Sequence, residues 1–95
     1  MKKDSTFIAA NCIFTIKKGN LLHACTTRIP ADINMFGQVE AIASATFGDC
    51  EVITLNVCAS MPKANALAKL WNDSFKKNGQ YLPMMFERQV TPEAN

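Results

Sequence analysis

The sequence predicts an α+β domain in which a small single-layer antiparallel sheet packs against two helices, in the order β-β-α-β-α with a short final strand as an option. Three observations carry this. Two runs rich in β-branched and aromatic residues, within Thr6–Ile29, are separated by the turn residues Lys17-Lys18-Gly19-Asn20. A further run, Cys50–Ala59, alternates in the same manner. Two other segments space their apolar residues three and four apart, as one face of a helix requires. With 95 residues, 48% of them hydrophobic and 19% charged, the chain matches one globular domain spanning 1–95, whose polar ends 1–5 and 89–95 are expected to fray.

The first two runs read as a β-hairpin. Its loop is either Gly19-Asn20, with glycine supplying a positive φ, or all four residues from Lys17 to Asn20. Both loop lengths are even, so both place Ile8, Ala10, Cys12, Phe14 and Ile16 on one face with Leu21, His23, Cys25, Thr27 and Ile29. The opposite face carries Asn11, Thr15, Lys17, Thr26 and Arg28, with apolar content from Phe7 and Ile13. The longer loop would set Cys12 opposite Cys25, and the shorter would set Phe14 there. Only the longer makes a disulfide between those cysteines geometrically conceivable.

Pro30 ends the hairpin, and Asp32 or Asn34 can cap a helix running to about Thr46. Met35, Val39, Ile42 and Thr46 define its stripe, with Phe36, Ala43 and Phe47 alongside, and Gly48 is a natural stop. In the third strand Ile53, Leu55, Val57 and Ala59 point one way and Cys50, Val52, Thr54, Asn56 and Cys58 the other. Apolar content on both sides suggests an interior strand or one with a partner on its second face. The second helix begins at the N-cap Ser60, tolerates Pro62 in its first turn and ends at Asn78-Gly79. Ala64, Leu67, Ala68, Trp71 and Phe75 form its buried stripe with Leu70 flanking, and Lys69–Asp73 is an i,i+4 pair of opposite charge. Tyr81–Glu87 is a candidate last strand, bent or held at an edge by Pro83. One layer of helices on the sheet would bury both stripes.

Several functions are disfavoured. No apolar stretch approaches a membrane span, and the run after Lys2-Lys3 lacks the compact apolar core and cleavage site of a signal peptide. Cys12, Cys25, Cys50 and Cys58 include no C-x-x-C pair, and each lies in an apolar strand-like run where a thiol acts as a small hydrophobe. They read as reduced core thiols, which implies the cytosol and no bound metal. His23 and Cys25 share a strand face, but no oxyanion donor or orienting partner accompanies them. A strand histidine at a sheet rim is the plainer reading. Asp49 and Glu51 read as solvated carboxylates, no phosphate-binding glycine loop is present, and Asn72-Asp73-Ser74 matches a glycosylation sequon by chance within a helix. The expectation is therefore a chain without enzymatic activity or cofactor.

Binding chemistry is more evident. Lys17, Lys18 and Arg28 on the hairpin, with Lys63, Lys69, Lys76 and Lys77 on the second helix, would form one basic surface if those elements lie side by side. Tyr81, Met84, Met85 and Phe86 form an adaptable apolar tail suited to an interface core or to a lid on the sheet. Unpaired sheet edges would also support a homodimer. The segment Leu67-Ala68-Lys69-Leu70-Trp71-Asn72-Asp73-Ser74-Phe75-Lys76-Lys77-Asn78-Gly79 resembles helices of small phage- and plasmid-encoded accessory proteins, among them anti-CRISPR inhibitors. That resemblance implies a compact cytoplasmic inhibitor that binds a protein or nucleoprotein complex. The alternative reading is a small nucleic-acid-binding module using the lysine-rich surface.

Overall fold

The structure is a computed structural model and describes residues 8–84. The expected frayed ends, together with Phe7, Met85, Phe86 and Glu87, lie outside the described residues. Three strands, β1 (Ala9–Lys18), β2 (Leu21–Pro30) and β3 (Glu51–Cys58), and two helices, α1 (Met35–Phe47) and α2 (Met61–Lys77), follow in the order β-β-α-β-α. The sheet is antiparallel with strand order β2-β1-β3.

β1 and β2 join through the two-residue loop Gly19-Asn20, with Gly19 at a φ of 65° that a side chain would disfavour. Lys18 therefore pairs with Leu21, and Phe14 with Cys25. Cys12 faces Thr27 instead, and all four cysteines are free.

The helices do not form one layer. They lie on opposite faces of the sheet, because β1 is apolar on both of its faces. Ala10, Cys12, Phe14 and Ile16 pack with Ile29 and Val52 against Val39 and Ala43 of α1. Ile13 turns the other way and packs with Ala24 against Ala68, Leu67, Trp71 and Phe75 of α2. Buried on both sides, β1 is the interior strand. β3, expected either in the interior or with a partner on its second face, is an edge strand: the chain inserts α1 before it, and it returns beside β1 on the side away from β2.

A bulge between Thr15 and Ile16 of the β1–β3 pairing also breaks the expected alternation of β3. Thr54, Asn56 and Cys58 keep to the α2 face, while Val52 joins Leu55 and Cys50 in the cluster beneath α1. One extra residue on β3 explains the switch, since side-chain parity reverses across it.

α1 starts at Asn34, whose side chain makes no capping bond; the Asp32 carboxylate instead accepts from the Asn34 N–H at 2.7 Å. Its packed stripe is Met35, Val39, Ile42, Ala43 and Phe47. Thr46 and Phe36, expected on that stripe, are exposed, and the Thr46 hydroxyl donates to the Ile42 carbonyl at 2.9 Å. α2 follows the expectation closely: the Ser60 hydroxyl accepts from the Lys63 N–H, Ala64 and Ala68 are buried, and Leu70 is exposed. Beyond α2, among the described residues, the chain touches β2 at one parallel bridge, Leu22 to Tyr81; the rest of the candidate last strand, from Met85 to Glu87, lies outside them.

Candidate binding surface

The backbone groups of an antiparallel strand point alternately to its two neighbours. The Lys18–Leu21 pair closes the hairpin, so Leu21, His23 and Cys25 direct their N–H and C=O groups at β1. Leu22 and Ala24 therefore direct theirs outward, and both are taken up. The Leu22 N–H donates to the Gln80 carbonyl at 2.7 Å, and its carbonyl accepts from the Leu82 N–H at 2.8 Å. The Asn72 side chain, rising from α2, accepts from the Ala24 N–H at 2.8 Å and donates to the Ala24 carbonyl at 2.9 Å. Its planar amide stands in for a neighbouring strand. In the linear sequence Asn72 stands out only as part of a chance sequon; its place on the buried side of α2, next to Ala68 and Trp71, is the signal that marks it.

His23 is the centre of the other conspicuous contact. Only 6% of it is exposed, so it is a core residue and not a rim histidine. Its ring lies 5.4 Å from that of Phe47 and 5.1 Å from that of Tyr81. Nδ1 is 2.6 Å from the Leu82 carbonyl oxygen, and since a carbonyl only accepts, Nδ1 carries the proton there. His23 thus clamps the segment after α2 onto the sheet. Burial pushes the Cys25 thiol up to about 12, with the neighbouring Cys50 adding to the effect. Burial also raises Cys12, with a contribution from Cys58. Cys50 is raised by burial, opposed by Lys18 and assisted by Asp49. These thiols stay protonated at neutral pH, a poor state for nucleophilic work. Among the described residues, no group of three or more His, Cys, Asp or Glu is arranged to hold a metal ion.

The basic residues divide by the face they occupy. Lys17 shares the α2 side of β1 with Ile13, and Arg28 shares the α2 side of β2 with Ala24. Lys63, Lys69, Lys76 and Lys77 stand exposed on α2 itself. Six of the seven expected residues therefore belong to one side of the sheet. Lys18 does not: its parity turns it to the α1 side, where its ammonium donates to the Phe47 carbonyl at 2.6 Å and closes the last turn of α1. Lys63 and Lys77 are about 21 Å apart along the helix, so the cationic surface is long and not a focused cleft. Three features moderate it. Lys69 pairs with Asp73 at 3.6 Å, Glu51 is the cross-strand neighbour of Lys17, and the Lys76 ammonium sits 4.7 Å above the Tyr81 ring. The α1 side has the opposite character: residues 30–50 contain Asp32, Glu40 and Asp49 and no Lys or Arg.

Tyr81 and Met84 of the expected apolar tail are half-buried, Tyr81 against His23; Met85 and Phe86 lie outside the described residues. Other exposed apolar side chains lie on both faces of the sheet near β3. Ile53 and Val57 of β3 and Leu70 of α2 are 43%, 61% and 63% exposed. Cys58, Ala59, Ala66, Leu67 and Leu70 line a shallow groove between β3 and α2. No helix among the described residues is long and apolar enough to cross a membrane.

The fold and surface together define a small α+β domain with a charge-divided exterior. No protein-family model, curated protein or solved structure matches the chain.

Proposed function

We propose that the protein is a non-enzymatic binding module that docks through the lysine-bearing α2 side onto an acidic face of a protein or nucleoprotein complex. Within that class, an inhibitor of a bacterial defence complex is the form suggested by the likeness of α2 to helices of anti-CRISPR proteins. The observation that carries the reading is the division of charge across the sheet: six cations and the acids Glu51 and Asp73 on the α2 side, against Asp32, Glu40 and Asp49 with the one cation Lys18 on the α1 side. Such a division orients the molecule towards a polyanionic or acidic partner before contact. The engagement of His23 by a backbone carbonyl, and the protonated thiols, support the non-enzymatic part.

The test is affinity capture from a bacterial lysate, with and without nuclease, using the wild-type chain and the double reversal Lys63→Glu/Lys77→Glu. These two lysines have no ion-pair partner among the described residues, so reversal leaves the core intact. We expect one nuclease-resistant complex, stoichiometric with the bait and lost on reversal. Undiminished capture by the reversed protein would overturn the reading. Affinity for plain DNA or RNA that falls steeply with salt would instead favour the nucleic-acid module, a reading to which the same six residues lend weight.

A further inference from the structure

The alternation of backbone groups that opens the outer side of β2 also opens that of β3. Lys18 and Phe14 of β1 bond towards β2, so Ile13, Thr15 and Asn11 bond towards β3. Their partners Asn56, Thr54 and Cys58 accordingly use their backbone groups on β1. Leu55 and Val57, lying between, direct N–H and C=O away from the sheet, and nothing among the described residues takes them up. Protein edges of this kind are normally blunted by lysine, proline, an inward charge or a covering segment. Residues 52–58 contain none of these, and the bulge lies at one end, leaving Leu55–Val57 flat.

We propose that this edge pairs with the same edge of a second copy, in an antiparallel two-fold arrangement centred on Asn56. Three features point to a second copy and not to an unrelated strand. First, the segment is self-complementary in that register: Leu55 faces the partner's Val57 and Val57 faces the partner's Leu55, so the exposed valine gains an apolar neighbour twice. Second, Asn56 meets the partner's Asn56 on the other face, where a side-chain amide can both donate to and accept from its copy. Third, the charges match. Glu51 stands at one end of the strand and Lys63 in the first turn of α2 just past the other end; antiparallel pairing sets Glu51 beside the partner's Lys63. The two-fold axis runs perpendicular to a continuous six-stranded sheet, so both α2 helices emerge on one side of it. The groove lined by Ala66 and Leu70 then lies between them. The dimer thus doubles the cationic side, although the pairing itself does not depend on the proposed function.

The experiment is sedimentation equilibrium on the full chain together with backbone amide exchange. We expect twice the 10.5 kDa chain mass, with the Leu55 and Val57 amides protected at high concentration and exchanging freely on dilution. Val57→Lys should weaken association at least about tenfold by placing two ammonium groups against leucine at the edge. Val57 is largely exposed within one copy, and a matching circular-dichroism melt checks that the variant folds. Lys77→Glu alone, at the far end of α2, leaves β3 and the Glu51–Lys63 contact intact, so weakened capture in that variant with a retained dimer separates the two proposals. A wild-type monomer overturns the inference, even with those amides protected, since another part of the chain would then cover the edge. A dimer indifferent to Val57→Lys, or open-ended association beyond two copies, overturns it equally.

Discussion

Along the outer edge of β2 every outward backbone group of Leu22 and Ala24 meets a partner, from Gln80, Leu82 or the Asn72 amide, whereas along the outer edge of β3 the groups of Leu55 and Val57 meet none among the described residues. The difference follows from where α2 lies. It packs chiefly over β2 and β1 and leaves most of the α2 face of β3 uncovered. The segment leaving α2 then turns at Gly79 back along β2. The Leu22–Ala24 half of the β2 edge is thus finished by α2 and the chain that follows it, and the Leu55–Val57 stretch of β3 remains available.

The largest effect should come from unsealing the closed edge. Asn72→Ala removes both bonds to Ala24 and leaves a half-buried N–H and C=O unpaired, which should cost about 1–3 kcal/mol. Urea unfolding measures the loss, and faster exchange at the Ala24 amide places it at this edge. An unchanged midpoint would mean that the amide is a spectator and that the 80–82 segment alone closes β2.

A smaller effect should separate the sealed side by pH. Cys25 lies beneath α1 on β2, and its thiol is raised from 9.0 to about 12. The folded chain therefore holds a proton that the unfolded chain releases, so this contribution is complete below pH 9 and is lost as pH climbs towards 12. Thermal melts should fall across that window, and Cys25→Ala should flatten the fall. An equally steep decline in the variant would assign the alkaline loss to other groups.

The smallest effect is expected at the open edge. Val57→Thr keeps the β-branched shape, and in dilute protein, where single copies dominate, stability should stay within about 0.5 kcal/mol of wild type. A larger loss in dilute protein would show that β3 is braced within one copy, and the contrast between the edges would shrink accordingly.

Much of this molecule was legible in the linear pattern. Alternation in β1 and β2 assigned the hairpin faces, since parity survives any even loop. The stripe of α2 from Ala64 to Phe75, its Ser60 cap and its Asn78-Gly79 stop are all local signals, and all appear as expected. The failures share one cause. Apolar content on both faces of β3 resembled an interior strand, yet the bulge, not burial on two sides, put Val52 beneath α1. Thr46 fitted the spacing of α1 but lies off its packed stripe, because a stripe's exact centre depends on the surface it meets. Of the seven basic residues, Lys18 left the group because strand parity sent its side chain to the end of α1, a contact between residues 29 positions apart.

Alone, the sequence determined the order of the strands and helices, the two faces of the hairpin, the buried stripe of α2, and that the cysteines sit in apolar settings. Those properties depend on the period of a strand or helix and on neighbours within a few positions. Only the tertiary structure decided that the helices take opposite faces, that charge divides across the sheet, and that Asn72 and the 80–82 segment cover Leu22 and Ala24 of β2 while Leu55 and Val57 of β3 stay uncovered among the described residues. These depend on which strand lies beside which, and strand order is set by packing between distant segments, for which short-range periodicity carries no record.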